Sequence, residues 1–112
     1  MKLKNVVELL EAEVLSENYD SEQDILAACG SDLMSDVLAF VKDQALLLTG
    51  LINPQVVRTA EMMDMKAIVF VRGKSASPEI IELAAESGIT VPSTSYPLYV
   101  SCGKLYSNGL VC

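Results

Sequence analysis

The sequence predicts an α/β fold: a three-layer α/β/α sandwich with a mainly parallel sheet of about five strands. Three observations predict it. Apolar runs at 45–49 (ALLLT), 67–71 (AIVFV) and 89–92 (ITVP) begin 22 residues apart. None alternates polar with apolar residues, which is the pattern of strands covered on both faces. Each is followed by a helix-start signal: Asn53-Pro54, Ser77-Pro78, and Ser95 or Tyr96 ahead of Pro97. Such a pair places a capping side chain beside a proline that needs no N–H partner.

The remaining elements follow in order. Leu3, Val6, Val7 and Leu10 recur at helical spacing and predict a helix from Leu3 to about Ala12. Val14 and Leu15 form a short strand candidate, residues 16–24 are a polar, acidic loop, and 25–29 (ILAAC) read as a strand. The segment GSDLMSDVLAF then repeats Ser-Asp at a four-residue spacing, Ser31-Asp32 and Ser35-Asp36. On a helix, Leu33, Met34, Val37, Leu38 and Val41 would face the core and the four polar residues the other side. Gly88-Ile89 and Gly109-Leu110 read as helix stops, a left-handed glycine followed by an apolar contact. The 22-residue rhythm is the length of a βα unit, and the units share no consensus, so it is not a solenoid repeat.

Composition narrows the function. A chain of 112 residues is expected to be one domain over 1–112. Fifteen acids against eight bases give a net charge of −7, which disfavours nucleic acid and anionic membranes as partners. The N-terminal stretch has acids throughout and no signal-peptide pattern, and no apolar run reaches a membrane-spanning length, so a cytoplasmic protein is expected. Cys29, Cys102 and Cys112 are widely spaced and histidine is absent. Zinc and haem are disfavoured, no metal or cofactor is expected, and the thiols are read as reduced and packed.

Chemistry in an open α/β sheet belongs beyond the carboxyl ends of the strands. That edge would gather Thr49, Gly50 and Asn53 from one loop, Arg72, Gly73, Lys74 and Ser75 from the next, and Ser93, Thr94 and Ser95 from the third. Helix N-termini with Arg72 and Lys74 would favour an anion, a nucleotide or another phosphorylated metabolite. The plainer reading is a set of ordinary capped βα loops, since neither phosphate-binding glycine motif occurs. No catalytic set is recognisable, so no catalytic residue is assigned. Met62, Met63 and Met65 are read as core or interface filling. In the last helix Leu98, Cys102, Leu105 and Tyr106 would form the buried stripe and Tyr99 the exposed side. Ser31, Asp32, Ser35 and Asp36 are explained by capping and the helix dipole, or by a subunit interface.

The run GSDLMSDVLAFVKDQALLLTGLINPQVVRTAEMMDMKAIVFVRGKSASPEIIELAAESGITV, with KLKNVVELLEAEVLS before it and YPLYVSCGKLYSNGL after it, resembles the DRTGG domain family. The resemblance covers nearly the whole chain. Family members occur as small free-standing proteins, within some phosphate acetyltransferases, and as an insert in CBS-domain inorganic pyrophosphatases; the fold is similar to the N-terminal domain of HPr kinase/phosphorylase. The resemblance implies a non-catalytic regulatory or assembly module, commonly at a subunit interface: a homodimer, or a subunit of a metabolic enzyme or kinase. The naming motif is altered here. LTGLINPQVVRT stands at the Asp-Arg position and Val71-Arg72-Gly73 at the Thr-Gly-Gly position, so Gly73 alone carries over.

Overall fold

The computed structural model describes residues 1–40, 43–73 and 76–111. Val41, Lys74, Ser75 and Cys112, all named above, lie outside them.

Five strands form one sheet in the order β1-β5-β4-β3-β2. They are β1 (Glu13–Val14), β2 (Ala27–Gly30), β3 (Ala45–Thr49), β4 (Ala67–Phe70) and β5 (Pro92–Ser93). Strands β2 to β5 are parallel neighbours in chain order, and β1 adds antiparallel to β5. Helices α2 (Met34–Phe40), α3 (Pro54–Met62) and α4 (Pro78–Glu86) join consecutive strands, while α1 (Leu3–Leu9) and α5 (Leu98–Ser107) stand outside that series.

Both faces of the sheet are buried, as the unalternating strands require. Ala45, Leu47, Ile68 and Phe70 point to a core shared with Val37 of α2, Val56, Val57 and Ala60 of α3, and Ile80 and Ala84 of α4. Leu46, Leu48, Ala67 and Val69 point the other way, to Leu3 and Val6 of α1 and Leu105 of α5. The three layers are therefore α2/α3/α4, sheet, and α1/α5.

Local chemistry sets the ends. Asn53 Oδ1 accepts from Gln55 N at 2.9 Å, and Ser77 Oγ accepts from Ile80 N at 3.4 Å, with Pro54 and Pro78 in the first turn. Gly88 and Gly109 take positive φ as expected of helix stops. Helix α5 departs from expectation: Pro97 occupies its N-cap position and no side chain caps it. Tyr96 lies before the helix.

The last strand is shorter than predicted, and Pro92 explains it. Ile68 N donates to Thr90 O and Thr94 N donates to Phe70 O, so residues 90, 92 and 94 face β4. Pro92 has no N–H to donate at the middle rung, and the ladder breaks there.

Helix α2 also begins later than predicted. Ser31 N still donates to Leu48 O in the sheet, and Ser31 Oγ accepts from Leu33 N at 3.0 Å. The chain thus spends residues 31–33 in a turn, and Leu33 O takes the first helical bonds from Asp36 N and Val37 N. The expected apolar face shrinks accordingly. Val37 is buried, whereas Leu33 and Leu38 are exposed. In α5, Tyr106 is 68% exposed, which corrects its assignment to the buried stripe. Of the methionines, Met65 is buried, Met63 packs on the core and Met62 is exposed.

Candidate functional site

The carboxyl ends of β2, β3 and β4 converge on one side chain, Asp32. It sits in the turn before α2, not on the helix. Thr49 Oγ1 donates to Asp32 Oδ1 at 3.0 Å and Gly50 N donates to the same oxygen at 2.7 Å. Arg72 Nη2 reaches Asp32 Oδ2 at 3.4 Å. Thr49 is buried, and its hydroxyl oxygen also accepts from Leu51 N at 3.1 Å. One carboxylate therefore ties together the segments that follow three successive parallel strands.

Gly50 makes room for this arrangement. The Arg72 guanidinium lies where a Cβ on residue 50 would stand, so any side chain there must displace it. Arg72 itself has φ +62°, a left-handed conformation that non-glycine residues rarely adopt. It is held there by its own N–H, which donates to Tyr96 O at 2.8 Å, and by Gly73 N, which donates to Thr94 O at 2.9 Å.

Of the residues predicted at the strand ends, the structure brings Thr49, Gly50 and Arg72 together. Gly73 adjoins them through its bond to Thr94. Asn53 is occupied in capping α3. Thr94 is buried and turned away: its hydroxyl donates to Leu10 O at 2.6 Å and accepts from Tyr96 N at 3.2 Å. Ser93 is half-buried in β5 and Ser95 is exposed. The four residues of the Ser-Asp repeat separate. Asp32 and Ser31 belong to the turn, while Ser35 and Asp36 are exposed on α2. The sequence reading missed the partnership of Asp32 with Thr49, Gly50 and Arg72. All follow strand ends, and laying the parallel strands in register brings those positions side by side.

The cluster offers little chemistry. The Thr49 hydroxyl is engaged as both donor and acceptor. The half-exposed Arg72 guanidinium retains N–H groups that an anion can use. No group of three metal-ligating side chains converges among the described residues. Strands β2 to β5 run across the sheet without reversing, so no switch-point crevice opens between them. Among the described residues, cavities of about 770, 400 and 160 Å³ lie along α1 and α5.

On the α1/α5 side, Tyr96 Oη donates to Glu11 Oε2, and Lys104 Nζ sits 4.9 Å from the Tyr96 ring centre. The bond to the Glu11 carboxylate raises the phenol above its ordinary pKa, with desolvation acting in the same direction. Cys102 and Cys29 are half-buried thiols, and burial raises the pKa of Cys102. No helix among the described residues is long and apolar enough to cross a membrane.

The sequence matches no family model and no curated protein. In structure, the chain is similar to the CBS and DRTGG domains of the regulatory region of Clostridium perfringens pyrophosphatase, a crystal structure complexed with activator, diadenosine tetraphosphate. The TM-score is 0.73 at 18% sequence identity, over 93% of this chain and 45% of that one. The fold is DRTGG-like. The chain thus spans less than half the length of that regulatory region.

Proposed function

We propose that the protein is a non-catalytic regulatory or interaction module, acting in the cytoplasm as a homodimer or as a regulatory subunit of a metabolic enzyme or kinase. One observation carries this reading. Large apolar side chains at two helices, Leu33 in the turn before α2 with Leu38 on it, and Tyr99 with Tyr106 on α5, stand exposed on an otherwise acidic molecule. At the strand ends, by contrast, Asp32, Thr49, Gly50 and Arg72 are engaged with one another. Similarity to a regulatory region supports the same reading. Sedimentation velocity combined with a pull-down from native cytosol tests it. A stable homodimer or a stoichiometric enzyme partner is expected; a monomer at high concentration with no partner would overturn it.

A second reading is a small-molecule sensor that binds a nucleotide or another phosphorylated metabolite beside Arg72. It is favoured by the free N–H groups of Arg72 and by the nucleotide in the similar regulatory region. A thermal-shift series with diadenosine tetraphosphate, mononucleotides and acetyl phosphate tests it. Saturating ligand at a hundredfold excess over Kd would stabilise the fold by about 2.7 kcal/mol. No shift from any of them, or an equal shift in Arg72→Ala, would eliminate the sensor.

A further inference from the structure

We infer that the outer face of α5 is a self-association surface, on which α5 of a second copy packs antiparallel across a two-fold axis near Gly103. The inference rests on the interaction-module reading and names its partner and its face.

Four observations meet on this helix. Tyr99, Gly103 and Tyr106 follow the i, i+4, i+7 spacing of a helix–helix seam, and they stand on the exposed side. Tyr99 is 91% exposed, and neither tyrosine hydroxyl has a partner among the described residues. Between them, Gly103 occupies a helix interior, where glycine is unfavourable. A Cβ at Gly103 would meet nothing within 4 Å among the described residues, so they give no reason for a glycine. Close approach of another backbone does give one. The result is a notch of about 400 Å³ floored by Gly103 and walled by Tyr99 and Tyr106. A smaller cavity of about 160 Å³ shares Cys102 and Tyr106 with it and reaches Ala28 and Gly30 of the edge strand β2. The surface is therefore continuous from α5 to the sheet edge.

Charge indicates which occupant fits. All fifteen acids lie at or before Glu86, and residues 87–112 carry one charged side chain, Lys104. In a chain of net charge −7, α5 itself is therefore free of acids. Glu8 and Glu11 border its Asn108-Gly109 end, and a second copy can approach its middle with little repulsion. The seam is also self-complementary. In an antiparallel pair crossing at Gly103, Tyr106 of each copy meets Val100 and Tyr99 of the other. Two buried aromatic side chains cover roughly 300–500 Å². That is about half of the ~800 Å² per partner of a stable interface. The exposed Val100, Val111 and Leu26, the last two beside β2, extend the apolar area.

Sedimentation equilibrium of the full chain tests the inference, with circular dichroism confirming that each variant is folded. A dimer is expected, with Tyr99→Glu and Gly103→Glu each raising the dissociation constant by about 100-fold or more, and Leu33→Glu in the turn before α2 leaving it within about threefold. As an independent readout, Gly103→Cys in a background with the native cysteines changed to serine should form an interchain disulfide under mild oxidation. A dimer split by Leu33→Glu but not by Tyr99→Glu would overturn the α5 face and leave the interaction module standing. So would a monomer that binds an enzyme partner in cytosol. A monomer with no partner would overturn both.

Discussion

The strand-end cluster and α5 treat their polar and backbone groups in opposite ways. At the strand ends one carboxylate is answered within the chain: Asp32 takes the Thr49 hydroxyl, the Gly50 N–H and the Arg72 guanidinium. Gly50 is a glycine because Arg72 occupies its side-chain space. On α5 the demands go unanswered. Among the described residues, Ser101 Oγ is buried without a partner on the inner side, and Gly103 has open space on the outer side. The first region reads as a device that closes the fold. The second carries costs that folding of one chain does not explain.

The largest expected effect breaks the first region. Asp32→Ala removes the acceptor of a main-chain N–H and of a buried hydroxyl, and should cost about 2 kcal/mol in urea unfolding. Arg72→Ala should cost less, under about 1 kcal/mol, because the pair is half-exposed and solvent screens it. A double-mutant cycle separates the terms. The penalty of Gly50→Ala should largely vanish in the Arg72→Ala background, since the guanidinium is what the new Cβ meets. An unchanged penalty would mean that the glycine serves the turn itself.

Next in size is Gly103→Ala. In the monomer it should raise stability by roughly 0.5–1 kcal/mol, because alanine restricts the unfolded chain and favours the helix. In the dimer the same Cβ should weaken association. Opposite signs in the two measurements would separate α5 from the strand ends, where Gly50→Ala lowers stability alone. Destabilisation of the monomer by Gly103→Ala would remove the contrast.

Smaller still is Ser101→Ala. The hydroxyl is buried and unbonded, so its removal should be neutral or stabilise by up to about 1 kcal/mol in thermal unfolding. A loss of more than that would mean that the hydroxyl is bonded within the core of the single chain.

The two regions also differed in how far the sequence disclosed them. Runs such as ALLLT and AIVFV were legible because a strand covered on both faces needs apolar residues at consecutive positions, and Asn53-Pro54 and Ser77-Pro78 mark helix starts by local chemistry. The role of Asp32 was hidden because its partners lie 17, 18 and 40 residues away, while the four-residue Ser-Asp spacing pointed to a helix face. The Ser31 turn, a short-range alternative to the helix, won over that periodicity. Tyr106 was misplaced for a related reason. It adjoins the stripe of Leu98, Cys102 and Leu105 on the helix surface, but it lies past the stripe's edge and faces outward.

A third polar region sharpens the contrast, because its partners are answered in open solvent. Lys2 Nζ lies 2.7 Å from Asp24 Oδ1, and Lys4 Nζ lies 2.9 Å from Glu22 Oε2, joining the start of α1 to the acids of the loop before β2. The hydrogen bond from Lys2, reinforced by its charge, lowers the Asp24 pKa, and Lys4 does the same for Glu22; Lys2 is raised by its bond to Asp24. Carboxylates lowered on folding contribute stability above their ordinary range, near pH 4, and lose it as pH falls through the lowered value. A lysine raised on folding contributes below its ordinary range and loses it as pH rises further. The pairs should therefore support the fold at neutral pH and fail in acid. The thermal midpoint of Asp24→Asn/Glu22→Gln should fall slightly below wild type at pH 7 and meet it in acid, once pH has fallen through the lowered carboxylate values. Molar salt should close the same gap at pH 7, since exposed pairs are screened, while the Asp32→Ala deficit should persist. A gap at pH 7 that salt leaves unchanged would mean that these pairs act through packing of α1 and not through charge.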